Sequence, residues 1–265
     1  MSIVRVGISG AAGRMGKRLI AMAIQDNDLE LTAALDAPSH PAIGQDAGNY
    51  AGEGSCNLPI TGELATELDA IIDFSVPAGA QRAIEVCQSK KIPLVMATTG
   101  LSDVQEDMVR KASNEIPIVW APSMSATVNL TMKLAGIAGR TLKDSDADVE
   151  IIERHHRFKE DSPSGTALRF GQIIADEMGI TKHQHGREGR PGARPHNEIG
   201  YHAVRTGDNP GEHTMIFGLL GETIELTVRA SNRDCYAAGA LAAAKFVVKQ
   251  KPGIYDMFDV LGLND

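Results

Sequence analysis

A glycine-rich turn leads straight out of the first apolar run of this chain. Ile3 to Ile8 is β-branched, Gly10-Ala11-Ala12-Gly13-Arg14-Met15-Gly16 follows, and a helical pattern runs from about Gly13 to Ile24. Few folds accommodate a strand that empties into glycines and then into a helix. Glycine permits the tight turn and lets backbone N–H groups approach a pyrophosphate, which then sits at the positive end of the helix. Asp36 stands 20 residues beyond Gly16, at the end of the next apolar run, Leu29 to Leu35. An acid at that place accepts hydrogen bonds from a ribose. A surface turn with an unrelated Asp would explain the glycines but not the order. Strand, glycines, helix and acid together point to a dinucleotide.

The neighbours of Asp36 bear on which dinucleotide. A specialist for the 2′-phosphate usually sets an Arg beside the acid, whereas Ala37 and Pro38 follow here. Asp36 itself repels that phosphate, and Arg14, Lys17 and Arg18 lie near enough in sequence to offset it. NADH is favoured, with NADPH accepted.

The first half keeps alternating strand and helix signals. Ala70 to Phe74, Pro93 to Thr99 and Ile116 to Ala121 read as strands, with helices opening near Pro77 and Ser102. That rhythm predicts an α/β fold with a Rossmann-type, doubly wound parallel sheet. After about Ala126 it changes. A helix over Val128 to Leu142 leads to a strand, Ala147 to Glu153, and to a helix opening at Gly165. A polar loop from Lys182 to Asn197 precedes three period-2 runs, Ile199 to Arg205, His213 to Leu219 and Thr223 to Ala230. These predict a second, α+β domain. Asp234 to Lys249 reads as a helix followed by a short tail.

Composition narrows the partners. With 26 Lys plus Arg against 34 Asp plus Glu, the formal charge of -8 argues against nucleic acid. Aromatics at 4% leave no platform for base stacking. No apolar run approaches the roughly 18 residues that span a bilayer, so no membrane partner is expected. Cys56, Cys87 and Cys235 are far apart, which fits neither a disulfide framework nor a thiolate metal site. A soluble cytoplasmic protein is the default expectation.

The densest chemistry lies at Glu153-Arg-His155-His156-Arg-Phe-Lys159-Glu-Asp-Ser-Pro-Ser-Gly165-Thr166-Ala. If the strand runs on to Lys159, His155, Arg157 and Lys159 share one face. Gly165 and Thr166 then open a helix whose free N–H groups bind a carboxylate. Proton donors beside an anion hole suit reduction of an acidic, unsaturated substrate. A solvated basic turn is the plainer reading, and a metal site is poorer still because adjacent histidines diverge. Arg187, Arg190 and Arg194 could steer an anion; His183 and His185 read as solvated or lid residues.

This segment resembles the signature of the 4-hydroxy-tetrahydrodipicolinate reductase (dihydrodipicolinate reductase) family, and the resemblance extends over nearly the whole chain. It includes Gly10 to Gly16, Ile72 to Ser75, Thr98 to Gly100, Ser125 to Asn129 and Gly211 to Thr214. The resemblance implies a Rossmann domain (1–126 plus 236–265) interrupted by a substrate-binding and tetramerisation domain (127–235), hence a homotetramer. It implies that Gly10, Ala11, Ala12, Gly13, Arg14 and Met15 hold the pyrophosphate and Asp36 the ribose. Ala97, Thr98 and Thr99, with Ala121, Pro122, Ser123 and Met124, would line the nicotinamide side. His155 and Lys159 become the proton-handling pair, and His156, Gly165 and Thr166 grip a small dicarboxylate substrate. Ala97 and Ser123 depart from the family's usual Gly and Asn. The implied reaction is NAD(P)H-dependent reduction to tetrahydrodipicolinate with loss of water. Other readings are an oxidoreductase of another small acidic substrate and a non-catalytic nucleotide sensor. The first would want a catalytic Cys or a differently placed acid; the second has no need of His155, Lys159 and Gly165-Thr166.

Overall fold

The computed structural model describes residues 3–264. The chain divides into two compact units, Met1–Ala126 with Arg233–Asp265, and Thr127–Asn232. In chain order the first opens with β1 (Val4–Ser9), α1 (Arg14–Gln25), β2 (Leu29–Leu35), α2 (Ala47–Ala51) and β3 (Ile60–Thr61). It continues with β4 (Ala70–Asp73), α3 (Pro77–Lys90), β5 (Leu94–Met96), α4 (Asp103–Ala112) and β6 (Pro117–Trp120). The second unit carries α5 (Ala126–Leu142), β7 (Asp148–His155), α6 (Gly165–Met178), β8 (Lys182–His185), β9 (Glu198–Arg205), β10 (Glu212–Leu219) and β11 (Glu222–Arg229). The chain then returns to the first unit through α7 (Asp234–Val247), β12 (Gly253–Tyr255) and α8 (Met257–Val260).

The first unit is built on a seven-stranded sheet of order β12-β6-β5-β4-β1-β2-β3, parallel at every pairing. A parallel sheet needs cover on both faces, and β4 shows how the sequence meets that need. Ala70 and Ile72 enter one apolar cluster, with Leu19 and Ile20 of α1 and Leu241 and Ala244 of α7. Ile71, between them, points into the other, with Ile84 and Cys87 of α3 and Val109 of α4. Fully burying each such Ile contributes roughly 1.5–3 kcal/mol. Helix α4 begins in a capping box between Ser102 and Gln105, which satisfies amides that a helix start otherwise leaves orphaned.

The second unit has a five-stranded mixed sheet, β11-β10-β7-β9-β8. Strand β10 runs antiparallel to β7 and β11, while β9 is parallel to both β7 and β8. Val149, Ile151, Tyr201, Met215 and Phe217 of the sheet, with Phe170 and Ile174 of α6, are buried. Gly171 lets the Tyr201 ring lie against α6, because a Cβ there would collide with the phenol oxygen.

Four expectations change. Lys182 to His185, expected as loop, pairs with β9, and Lys182 Nζ sits 2.6 Å from Glu198 Oε2. The expected tail after Lys249 contains β12, which adds an edge strand beside β6. The return to the first unit falls at Arg233 rather than Tyr236, since α7 opens at Asp234 and Arg18 holds that carboxylate. Strand β7 stops at His155 instead of reaching Lys159. The Lys159 amide donates to His156 O, and the Arg157 amide to Gly207 O, which turns the chain.

The turn after β1 is close-packed. Gly10 has φ +80°, and a Cβ on it would lie 2.7 Å from Phe74 O. At Gly16, inside α1, a Cβ would run into Gly10 O and come within 2.5 Å of Ala11 O. Gly16→Ala is therefore expected to lose about 1–3 kcal/mol of stability through overpacking, seen as a lower urea midpoint at unchanged slope.

Candidate active site

The carboxyl ends of the central strands open onto a cavity of about 850 Å³. It lies where the connections part, β1 leading to β2 on one side and β4 to β5 on the other. Parallel sheets bind ligands at such a switch point. Gly10, Gly13, Arg14, Met15 and Asp36 line it, while Ala11 and Ala12 are buried behind them. Asp36 Oδ2 accepts the Ala12 amide at 2.8 Å and Oδ1 the Ala37 amide at 2.7 Å. The acid is thus fastened to the turn it was expected to serve, and each oxygen keeps a lone pair for a further donor. His40 and Arg82 share the lining.

The nicotinamide-side candidates lie outside that lining. Ala97 and Thr98 are buried after β5, as are Ala121, Ser123 and Met124 after β6; Thr99 and Pro122 are exposed. The Ala121 amide donates to Met96 O at 3.2 Å, so the two segments start side by side. The glycines, a cavity of this size and the fastened acid fit a dinucleotide.

In the second unit, the alternation along β7 that buries Val149 and Ile151 also buries Glu153 and His155. Charged groups on a core face must find partners there. Glu153 Oε2 takes His155 Nδ1 at 2.6 Å and Arg205 Nη1 at 2.7 Å; Oε1 takes Arg205 Nη2 at 2.7 Å and the Ser164 amide at 3.0 Å. Burial works to raise its pKa, yet Arg205, His155 and the Ser164 amide hold it below the usual carboxylate range. An ionised carboxylate only accepts, so His155 carries its proton on Nδ1 and keeps a lone pair on Nε2. Burial pushes the His155 pKa down, against the pull of Glu153.

Ser164 caps α6, its Oγ accepting the Ala167 amide at 3.1 Å, and the same oxygen lies 2.9 Å from His213 Nε2. His213 is 5% exposed, and burial, with the neighbouring His155, holds its pKa down to about 4. The His156 ring is half-buried, and its Nδ1 has no hydrogen-bond partner. Lys159 Nζ lies 2.8 Å from Asp161 Oδ1. That ammonium, with the Gly165 amide among the lesser contributors, holds Asp161 below the usual range. Gly165 and Thr166 open α6, as expected.

Arg187 and Arg194 do not present free charge to an anion. Both pair with Glu150, Arg187 also with Glu198, and Arg194 also with Asp148. Against the effect of burial, Arg187, Arg194 and His202 bring Glu150 down to about 2. His183 is exposed, as expected, and its Nδ1 lies 2.7 Å from Tyr201 Oη. Glu153, Arg205, Ser164 and His213 escaped sequence reasoning as site members. The available signal was Glu153 itself, an acid at a position where the strand period demands an apolar side chain.

His213 makes stability depend on pH with a definite sign. Unfolded, it binds a proton near pH 6.5; folded, only near pH 4. Between these values the unfolded chain holds more protons, so stability falls on acidification. Urea unfolding at pH 4 is expected to give about 3 kcal/mol less than at pH 7 from this group.

Two family models match the chain end to end: "Dihydrodipicolinate reductase, N-terminus" over residues 4–124 and "Dihydrodipicolinate reductase, C-terminus" over residues 127–261. The 4-hydroxy-tetrahydrodipicolinate reductase of Rhodopirellula baltica is 54% identical, covering 99% of this chain and 97% of its own. That of Alkalilimnicola ehrlichii is 47% identical over 98% and 99%. Among solved structures, the dipicolinate-bound dihydrodipicolinate reductase of Paenisporosarcina sp. TG-14 superposes with a TM-score of 0.77 at 25% identity. It covers 97% of this chain and 98% of that one. The chain belongs to the dihydrodipicolinate reductase family.

Proposed function

We propose that this protein reduces 4-hydroxy-tetrahydrodipicolinate to tetrahydrodipicolinate with NADH or NADPH, releasing water, in lysine and diaminopimelate synthesis. Family membership gives the reaction class, and the observation that carries the reading in this chain is the Glu153–His155 pair beside the start of α6.

Once the 4-hydroxyl has left as water, a nicotinamide cofactor held by the first unit would supply a hydride to C4 of the ring. Negative charge then grows towards the ring nitrogen and C3, and a placed proton lowers the barrier. We assign proton delivery to Lys159. His155 is kept neutral at pH 7 by burial, and its Nε2 lone pair suits it to accept rather than donate. Lys159 brings an ammonium already paired with an acid. A substrate carboxylate takes the place of Asp161 on that ammonium and on the Gly165 amide, with Thr166 and His156 completing the grip. The unpartnered His156 Nδ1 supports that role.

In the first unit, Gly10 to Met15 bind the pyrophosphate and Asp36 the ribose, with Ala97 to Thr99 and Ala121 to Met124 on the nicotinamide side. NADH is preferred because Asp36 repels a 2′-phosphate; Arg14 and Arg82, lining the same cavity, let NADPH bind. Residues 1–126 and the C-terminal return serve the dinucleotide, and the second unit serves substrate and assembly into a homotetramer. A monomer by light scattering at micromolar concentration overturns the assembly.

Substrate generated in situ from aspartate semialdehyde and pyruvate, mixed with either cofactor, tests the activity. Loss of nicotinamide absorbance is expected, faster with NADH; no oxidation of either overturns the function. Lys159→Ala and His155→Ala are each expected to lower kcat on the order of 10²–10⁴-fold, the usual worth of general acid–base help. Near-wild-type turnover in the double variant overturns the assignment.

A further inference from the structure

Asp73 has no exposed surface, yet it ends the central strand of the larger sheet. Its ladder neighbours are Ser9 at the end of β1 and Met96 at the end of β5. Its carboxylate gathers three hydroxyls, one from the end of β1 and one from each of the segments after β4 and β5. Oδ1 accepts Ser9 Oγ at 2.7 Å and Ser75 Oγ at 2.6 Å, and Oδ2 accepts Thr98 Oγ1 at 2.5 Å. Thr98 Oγ1 also accepts the Ser75 amide at 3.1 Å, so its one proton belongs to Asp73. The Asp73 carbonyl takes the Ala97 amide at 3.0 Å, which starts the next loop.

Two features exceed what holding three segments requires. A neutral Asn or Thr could bridge strand ends without the cost of burying a carboxylate. Asp73 has hydroxyl and backbone partners, with no cation among the influences on its titration. Burial pushes its pKa up, and the three hydroxyls offset that only in part. Three hydroxyls and the Ser75 amide converge on the two oxygens, and hydrogen bonds of that kind favour the ionised form against the effect of burial. The carboxyl group lies in a low-dielectric setting, under the loop of Ala97 to Thr99 and one residue from Phe74, which backs the Gly10 turn.

We propose that Asp73 is kept ionised by these donors and is a positioning residue that acts electrostatically, its charge, felt through Thr98, favouring the oxidised nicotinamide over the reduced one. The oxidised ring carries a positive charge that the reduced ring lacks, so a buried carboxylate nearby stabilises the state that follows hydride donation. This rests on the assignment of Ala97 to Thr99 to the nicotinamide side.

The test is direct binding without substrate. Dissociation constants for NADH are read by fluorescence titration, and those for NAD⁺ and ADP-ribose by competition, in wild type and Asp73→Asn. The variant is expected to weaken NAD⁺ about tenfold more than NADH, the scale of one unit charge acting across a loop at protein-like dielectric. ADP-ribose, which has no nicotinamide, should follow NADH. An unchanged NAD⁺ to NADH ratio overturns the proposal. Equal losses for NAD⁺ and ADP-ribose overturn it too, since they put the effect at the phosphate turn. Wild-type protein that binds none of the three overturns the nucleotide reading itself, and this inference with it. Should Asp73→Asn not fold, Asp73→Ser, smaller and equally uncharged, reads the same ratio against the same outcomes.

Discussion

Glu153 carries a negative charge at a position where β7 offers only core, and the arrangement of the second unit follows from satisfying it. Two oxygens have about four lone-pair sites, and four donors meet them: both terminal nitrogens of Arg205, His155 Nδ1 and the Ser164 amide. Removing any partner would leave buried charge uncompensated, which costs far more than the pair itself gains. Three separate stretches are thereby brought into register: the end of β7, the end of β9 and the start of α6. The same bonds set the His155 tautomer. Holding the fold together and preparing the imidazole are one interaction here.

The start of α6 shows the same economy in its amides. Of the four N–H groups that a helix start leaves without intrahelical partners, the Ser164 amide goes to Glu153 and the Ala167 amide to the Ser164 hydroxyl. Of the other two, the Gly165 amide acts on the Asp161 carboxylate; Gly165 and Thr166 are the pair that the sequence motif singles out for a carboxylate. In the larger unit the glycine turn is held differently: Asp36 takes the Ala12 amide, the amides of Gly10, Ala11 and Gly13 go to backbone carbonyls, and Gly10, Gly13, Arg14 and Met15 line the cavity.

What could be read from sequence was what is local. Gly10 to Gly16, Asp36 and the stretch from Glu153 to Thr166 carry their signals within a few residues, and the periodic runs placed most strands and helices. The rest depends on partners distant in sequence. Arg205 lies 52 residues from Glu153 and His213 lies 49 from Ser164, and nothing in the neighbourhood of either announces the pairing. Strands β8 and β12 were missed because each is short and lacks an apolar alternation of its own; a neighbouring strand makes them strands. The extended reading of His156 to Lys159 failed for the same reason, since amide bonds to Gly207 and within the turn override a run that contains no Gly or Pro.

Net charge is the poorest guide of all to this molecule. The formal value of -8 suggests indifference to anions, yet most cations of the second unit's sheet are already neutralised, Arg187 and Arg194 by Glu150, Glu198 and Asp148. Counting arginines in the loop after β8 therefore overstates what it offers a ligand. Lys159 differs in kind, because its acid partner is exposed and lies on the same short turn. Lys159 is half-buried while Asp161 keeps 58% of its side chain exposed, so under the proposed reading an incoming carboxylate exchanges with an acid that returns readily to water. Arg187 and Arg194 each pair with two acids and hold sheet and loop in place; Lys159 has a single, locally supplied acid, and ligand exchange at such a pair is what a reductase of a small acid requires.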